Sequence, residues 1–473
     1  MRRKKKHKKR ARPQPVHGKP QHGSGKLHII LDLCWALCFF VLLVLAKEHF
    51  VDHSVVGEHI KQATYDVSQI WLSAGRKDEP QIVVVDIGTL EPCAKVQTDG
   101  SILSPRQALK DAVTAVMKEN PTALGIDADF SPGKHIRCPP VNEEELAQQK
   151  QLNEDQIQFT DRGGPPFFDF CLEQTRPIYL GVYRTQDDSP EQWLGFADYS
   201  KLAATITLPV ENAGEEHQEG PADGVRKSMT RQIIHENGVA LDSLSFALSK
   251  HKPKVMSWTQ RFLEHLPGSV FPIIQRTEAG DGITIEKFLV DFSSLKHLEE
   301  TTARYEGGKI TTHGTELSNK LVLLGYTDSV ESIDKFIVPG DVRQVAGVYW
   351  HASALDTLIR GMLAQPTKKG EFVLDAIFYV PIVLLIFGLR LAYAQKPGVH
   401  ISAHRIESIG TKIAALLIFL CGTYLVSTTR LMWDGFLMVA IVTALHPTIE
   451  GYLRSAAQWL RQLIGRNTPG TIP

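Results

Sequence analysis

Four apolar stretches bracket one long polar block, and this layout limits the chain more than any other feature. Residues 27–46, 371–394, 411–429 and 431–449 are each close to the ~20 residues a helix needs to cross a bilayer. Between the first two lie 324 residues, 47–370, of ordinary mixed polarity, enough for one large core or two smaller ones. The pattern predicts a domain outside the membrane, held by one N-terminal and three C-terminal transmembrane helices.

Charge sets the orientation. The chain is neutral overall, yet residues 1–26 carry 11 Lys or Arg and no acid, so the remainder is net −11. A basic tail directly before an apolar span marks the cytoplasmic side. No aromatic interleaving or nucleic-acid module accompanies that tail, so it reads as an orientation signal and no nucleic-acid partner is expected. The run 27–46 exceeds the ~7–15 apolar residues of a signal peptide, which favours an uncleaved anchor. The loop 395–410, with Lys396, His400, His404 and Arg405, and the tail 450–473, with Arg454, Arg461 and Arg466, then fall inside. Arg430 breaks the rule: it lies in a tiny outer turn between the third and fourth spans, and snorkelling to the interface accommodates it there.

Inside 47–370, periodicity suggests α/β organisation. Residues 54–75 keep apolar positions at helical spacing. Gln81–Ile87 is a near-continuous β-branched run, the texture of a strand buried on both faces in a parallel sheet. Ser104-Pro105 opens a helix over 104–119, and TALGIDADF supplies the next strand of a βαβ unit. Residues 131–166 form a polar inserted excursion. A helix (167–175) and a third strand (IYLGVY, 178–183) follow. From 193 on, TITLPV, VRKSMTRQIIHENGV and ITIEKFLVDF read as exposed strands, with a helix at 241–251. Residues 320–363 close the domain: Leu321–Gly325 as a buried strand, then a helix from Gly347 whose apolar face carries Leu355, Leu358, Ile359 and Leu363. The expected fold is an α/β extracytoplasmic domain with a parallel-rich central sheet.

The strands ending at Asp86, Asp127 and Gly325 bring their loops to one sheet edge, where open α/β sheets bind ligands. Asp86, Asp127 and Asp129, with Asp334, are therefore the ligand-sensing candidates. Clustered carboxylates suit a divalent cation or a cationic ligand; they equally serve to cap helices and hold loops. His351 is either a packing or capping residue, or a group that titrates near neutral pH and senses protons. Cys93 and Cys138 follow the first two parallel strands at the same edge and form the candidate disulfide. Asp375 lies near the start of the second span, at the interface or against neighbouring helices. There is no nucleophile elbow, Walker loop, HExxH or paired CxxC, so neither an enzyme nor a cofactor is expected.

In this order the motifs resemble the type-2 CHASE family, extracytoplasmic sensor domains of bacterial signalling proteins. The likeness is carried by Tyr65-Asp66 after the first span, IVVVDIG (82–88), ALGIDADFSP (123–132), DGVRKSMTRQII with LDSLSFAL (223–248), and LVLLGYTDSVESIDKFIVPG with AGVYWHASALDTLIRGML (321–363). It covers about 47–450. The chain departs from the family at Gly88 and Thr89, where a second acid is usual, and at Leu103–Arg106. Larger members carry a cyclase or kinase after the last span, where this chain has 24 residues after Ile449. The resemblance implies a multi-pass protein of the bacterial inner membrane with a periplasmic sensor domain. It implies a homodimer too, taking an unknown small ligand and relaying to a separate signalling or envelope protein. The alternatives are a structural or assembly factor of an envelope complex, and a metal-dependent envelope enzyme.

Overall fold

The computed structural model describes residues 55–74, 81–88, 105–130, 164–183, 197–207, 228–254, 267–279, 282–312, 314–327, 335–338, 344–394 and 403–433, with isolated positions elsewhere up to 459. The stretch 27–46, most of the 131–166 excursion, Cys93, Cys138 and Asp334 lie outside the described residues.

The helix after the first apolar stretch is α1 (Val55–Ala74). The strand β1 (Ile82–Asp86) is buried throughout, as its β-branched run requires. A two-residue hairpin, β2 (Lys95–Val96) and β3 (Ile102–Leu103), precedes α2 (Pro105–Lys118). Then come β4 (Ala123–Ile126), α3 (Gly164–Glu173), β5 (Ile178–Val182) and β6 (Ala203–Thr205). An antiparallel unit follows: β7 (Ser228–Ile234), β8 (Ala240–Asp242), α4 (Leu244–Ser249), β9 (Gln275–Glu278) and β10 (Thr284–Leu289). The chain returns through α5 (Leu295–Glu300), β11 (Ala303–Glu306), β12 (Lys309–Thr311) and β13 (Leu321–Gly325). A hairpin of β14 (Lys335–Ile337) and β15 (Gln344–Ala346) leads into α6 (Gly347–Arg360), and the helices α7 (Lys368–Ala394) and α8 (Ala403–Thr429) follow.

The main sheet has seven strands in the order β12-β11-β1-β13-β4-β5-β6. All neighbours are parallel except β12 against β11. Alternation along each strand divides the core. Ile82, Val84, Leu321 and Leu323 pack with α4, α5 and α6 on one face. Val83, Val85, Leu124 and Ile126 pack with α2 and α3 on the other. Glycine lets the helices come close: a Cβ on Gly125 would lie 2.7 Å from Leu248 Cδ1 of α4, and one on Gly325 2.8 Å from Val348 Cγ2 of α6.

Two expectations are corrected here. TITLPV does not begin as an exposed strand: Ala203–Thr205 is buried and closes the main sheet beside β5. The helix α6 is not amphipathic about one face; every residue from Gly347 to Ile359 is buried. The sheet covers one side of it and α4, α5 and the segment after β10 cover the rest. Its polar residues are consequently interior.

Among the described residues, one helical stretch is long and apolar enough to cross a membrane, Ser408–Thr429. The helix α7 covers the second apolar stretch and packs against α8. The described positions from 436 to 459 are helical. The fourth stretch does not start as a helix at 431, since Leu431 bridges to Ala364.

Candidate functional site

Period-two alternation puts Asp86 and Asp127 on the sheet face that carries α6, on either side of Gly325 at the end of β13. Two strand spacings separate them, about 10 Å. Each has its own task. Asp86 Oδ1 accepts from the Gly88 N–H (3.0 Å) and the Thr327 N–H (3.1 Å), so it pins the loops after β1 and β13. Asp127 faces α6, with Oδ1 3.6 Å from His351 Nε2, and both side chains are buried. Burial pushes its carboxyl up to about 7. Asp129 Oδ1 accepts from the Tyr183 N–H, just after β5, at 3.4 Å. The three carboxylates predicted to cluster therefore do not converge. Among the described residues no group of three or more His, Cys, Asp or Glu is placed to hold a metal ion.

His351 bridges three elements. Its Nδ1 lies 3.4 Å from Ser245 Oγ of α4, and its Nε2 faces Asp127 beyond β4. Ser, His and Asp in a row resemble a hydrolytic triad, but here the serine hydroxyl bonds to backbone and the spacings are long. Both spacings exceed the ~2.6–3.2 Å of an activated nucleophile. Ser245 is fully buried and donates its proton to the His351 backbone oxygen at 2.9 Å. The row acts as a polar clamp between α4, the sheet edge and α6. Next to it on α6, the Tyr349 hydroxyl bonds Thr302 at 2.9 Å. Burial raises the Tyr349 phenol, with smaller contributions from Glu299 and Asp86 in the same direction and opposing ones from its hydrogen bonds.

A second site, absent from the sequence reading, lies at residues 289–292, where β10 ends. The Tyr65 hydroxyl of α1 donates to the Val290 oxygen, and the Phe292 N–H donates to Gln69 Oε1, also of α1, at 2.8 Å. The Asp291 N–H donates to Thr357 Oγ1 of α6 at 2.8 Å. The Phe292 ring meets Trp350 edge-on at 4.8 Å, and Leu289 bridges to Leu363. Finally, Arg430 Nη2 donates to Asp291 Oδ2 at 2.8 Å, with both side chains at most one-tenth exposed. Arg430 therefore does not snorkel away from the domain. It ends α8 in the left-handed region (φ 59°), where a non-glycine residue is strained, and its side chain turns into the domain. Its backbone is fixed as well: the Ala364 N–H donates to the Arg430 oxygen (3.0 Å) and the Met432 N–H to the Ala364 oxygen (2.8 Å). Beside this turn, Trp433 Nε1 donates to the buried Asp375 of α7 at 2.9 Å, which settles Asp375 against a neighbouring segment.

Residues 290–292 thus tie α1, α6 and the turn after α8 into one knot. The signal for it was faint: a VDF tripeptide, and one arginine in the wrong place for the charge rule.

Comparisons with curated proteins and with solved structures give no match. A comparison with family models matches the CHASE2 domain over residues 36–394, most of the chain and all of the α/β fold described above. The protein belongs to the CHASE2 domain family, a family of extracytoplasmic sensor domains.

Proposed function

We propose that this protein is a membrane-anchored receptor of the bacterial inner membrane, with its CHASE2 domain in the periplasm. In this reading four helices span the bilayer: 27–46, α7, α8 and the stretch 431–449. An envelope signal shifts the packing of α6, and the spans carry the shift to a separate signalling protein. The receptor works as a homodimer and performs no catalysis itself.

The observation behind the reading is the knot at residues 290–292. A movement of α6 pulls on Asp291 through Thr357, and Asp291 is held at the same time by Arg430 at the outer end of α8. Val290 and Phe292 carry the same movement to Tyr65 and Gln69 of α1. A two-state change in the domain thereby reaches two membrane-proximal helices without a flexible joint between them.

The test is capture of the tagged full-length protein from native membranes after crosslinking, with partners identified by mass spectrometry. A cyclase, kinase or phosphatase is expected, and the Arg430→Met variant is expected to change its activity while still binding it. Recovery of structural envelope proteins alone refutes a receptor and makes the protein an assembly factor.

A further inference from the structure

We propose that Asp127, His351 and Ser245 form a proton-responsive latch that holds α6 on the sheet edge and loosens it as the Asp127 carboxyl facing His351 gives up its proton. The inference rests on the receptor reading only for its consequence; the latch itself is a property of the domain.

The geometry carries it. A carboxyl and an imidazole stand 3.6 Å apart, both side chains 6% exposed or less, across the junction between β4 and α6. While the Asp127 carboxyl keeps its proton it is neutral, and burial tolerates it. Once ionised it is a buried carboxylate at the interface with α6, which burial penalises. The high carboxyl position of Asp127 places that ionisation near neutrality, where an envelope protein meets natural pH changes. Ser245 anchors the far side of the ring and the His351 carbonyl, so the helix cannot turn the imidazole away while the latch is closed.

The other titratable groups on the elements packed around the pair have partners of their own. Asp86 of β1 accepts from Gly88 and Thr327. Tyr349 bonds Thr302, with Glu299 of α5 contributing to its surroundings. Asp356 pairs with Arg360 one turn along α6 at 3.0 Å. Tyr179 of β5 and His251, which follows α4, bond each other at 2.7 Å. Among these contacts, the Asp127–His351 pair joins β4 directly to the coupling helix.

The experiment is hydrogen–deuterium exchange of the full-length protein in nanodiscs from pH 5.5 to 9, read as protection factors of peptides from 347–360 after correction for intrinsic rates. In the wild type, protection is expected to fall as pH rises towards about 7, by up to about tenfold per pH unit, and to level off above it, because opening is linked to a proton only where the closed state holds it and the open state has lost it. Peptides from β7 serve as the internal control and are expected to stay flat. Asp127→Asn is expected to abolish the fall. His351→Gln, which takes away the partner of the carboxyl, is expected to move its midpoint, and it tests the latch independently should the Asn variant not fold. Parallel falls in wild type and Asp127→Asn, or an unmoved midpoint in His351→Gln, overturn the latch. Partner capture reads the relay separately: a flat profile with a signalling partner in place removes the latch and keeps the receptor.

Discussion

Removing either half of the Arg430–Asp291 pair is expected to detach the C-terminal end of α8 from the domain. The structure sets the size of the effect. Both side chains are buried, so Arg430→Met takes the guanidinium away from a buried carboxylate whose Oδ1 accepts from the Ser293 N–H. Breaking a buried pair in this way costs about 3–5 kcal/mol, because one charge stays behind without its counter-ion. Asp291→Asn keeps an oxygen for the Ser293 N–H and strands the guanidinium instead, with a loss of similar size. The double variant removes both charges and is expected to recover most of either loss. The assay is thermal unfolding of the full-length protein in nanodiscs, followed by tryptophan fluorescence; Trp350 and Trp433 flank the knot on its two sides. A domain of 324 residues shifts by roughly 1.5 °C per kcal/mol, so each single variant should melt about 4–7 °C lower. Added salt should leave the difference nearly unchanged, since buried pairs are screened little. Single variants within 1 °C of the wild type, or a double variant showing the sum of the two losses, would refute the inference that this pair ties α8 to the domain.

Three further outcomes follow from particular contacts. Tyr65→Phe removes the donor to the Val290 oxygen and should cost about 1–3 kcal/mol in urea unfolding, the price of an unmet buried carbonyl; an unchanged midpoint would show that α1 is not fastened there. Gly125→Ala drives a methyl toward Leu248 and Leu244 of α4 and should cost about 1–3 kcal/mol, with Leu248→Ala in the same chain relieving the clash. Asp127→Asn should change stability with pH in a definite sense. Its folded carboxyl sits at about 7 against an ordinary 3.8, so the favourable contribution of the protonated acid is complete below about 3.8 and is lost as pH rises through about 7. The Asn variant should therefore gain on the wild type from pH 4 to 8 in chemical denaturation, and a gap that is constant or narrows with pH contradicts a buried acid at this position.

Much of the scaffold was readable from the residues. The β-branched and leucine runs at Ile82–Asp86, Ala123–Ile126 and Leu321–Gly325 admit only interior parallel strands, and all three are neighbours in the sheet. Helical spacing gave α1 and α2 to within one residue at each end. Of the site residues, Asp86 and Asp127 were placed at one sheet edge because each ends a parallel strand, and strand parity puts both on the face of α6. Their separation and their different partners were not readable, because parity fixes a face and says nothing of which loop or helix arrives to meet each carboxylate. Ser245 escaped notice for the same reason: within LSFALS it is one serine among several, and only the seating of α6 against α4 selects it.

What the sequence determined by itself is local: most of the segments that form helix or strand, and the face that each strand buries. These follow from side-chain period and composition within a window of ten or twenty residues. What the tertiary structure decided is long-range. It buried α6 on every side, which made His351 and Thr357 interior contacts. It drew Arg430 139 residues back along the chain to Asp291. Whether a charge faces solvent or core depends on a partner of opposite sign waiting in the right place, and no local pattern records where that partner is.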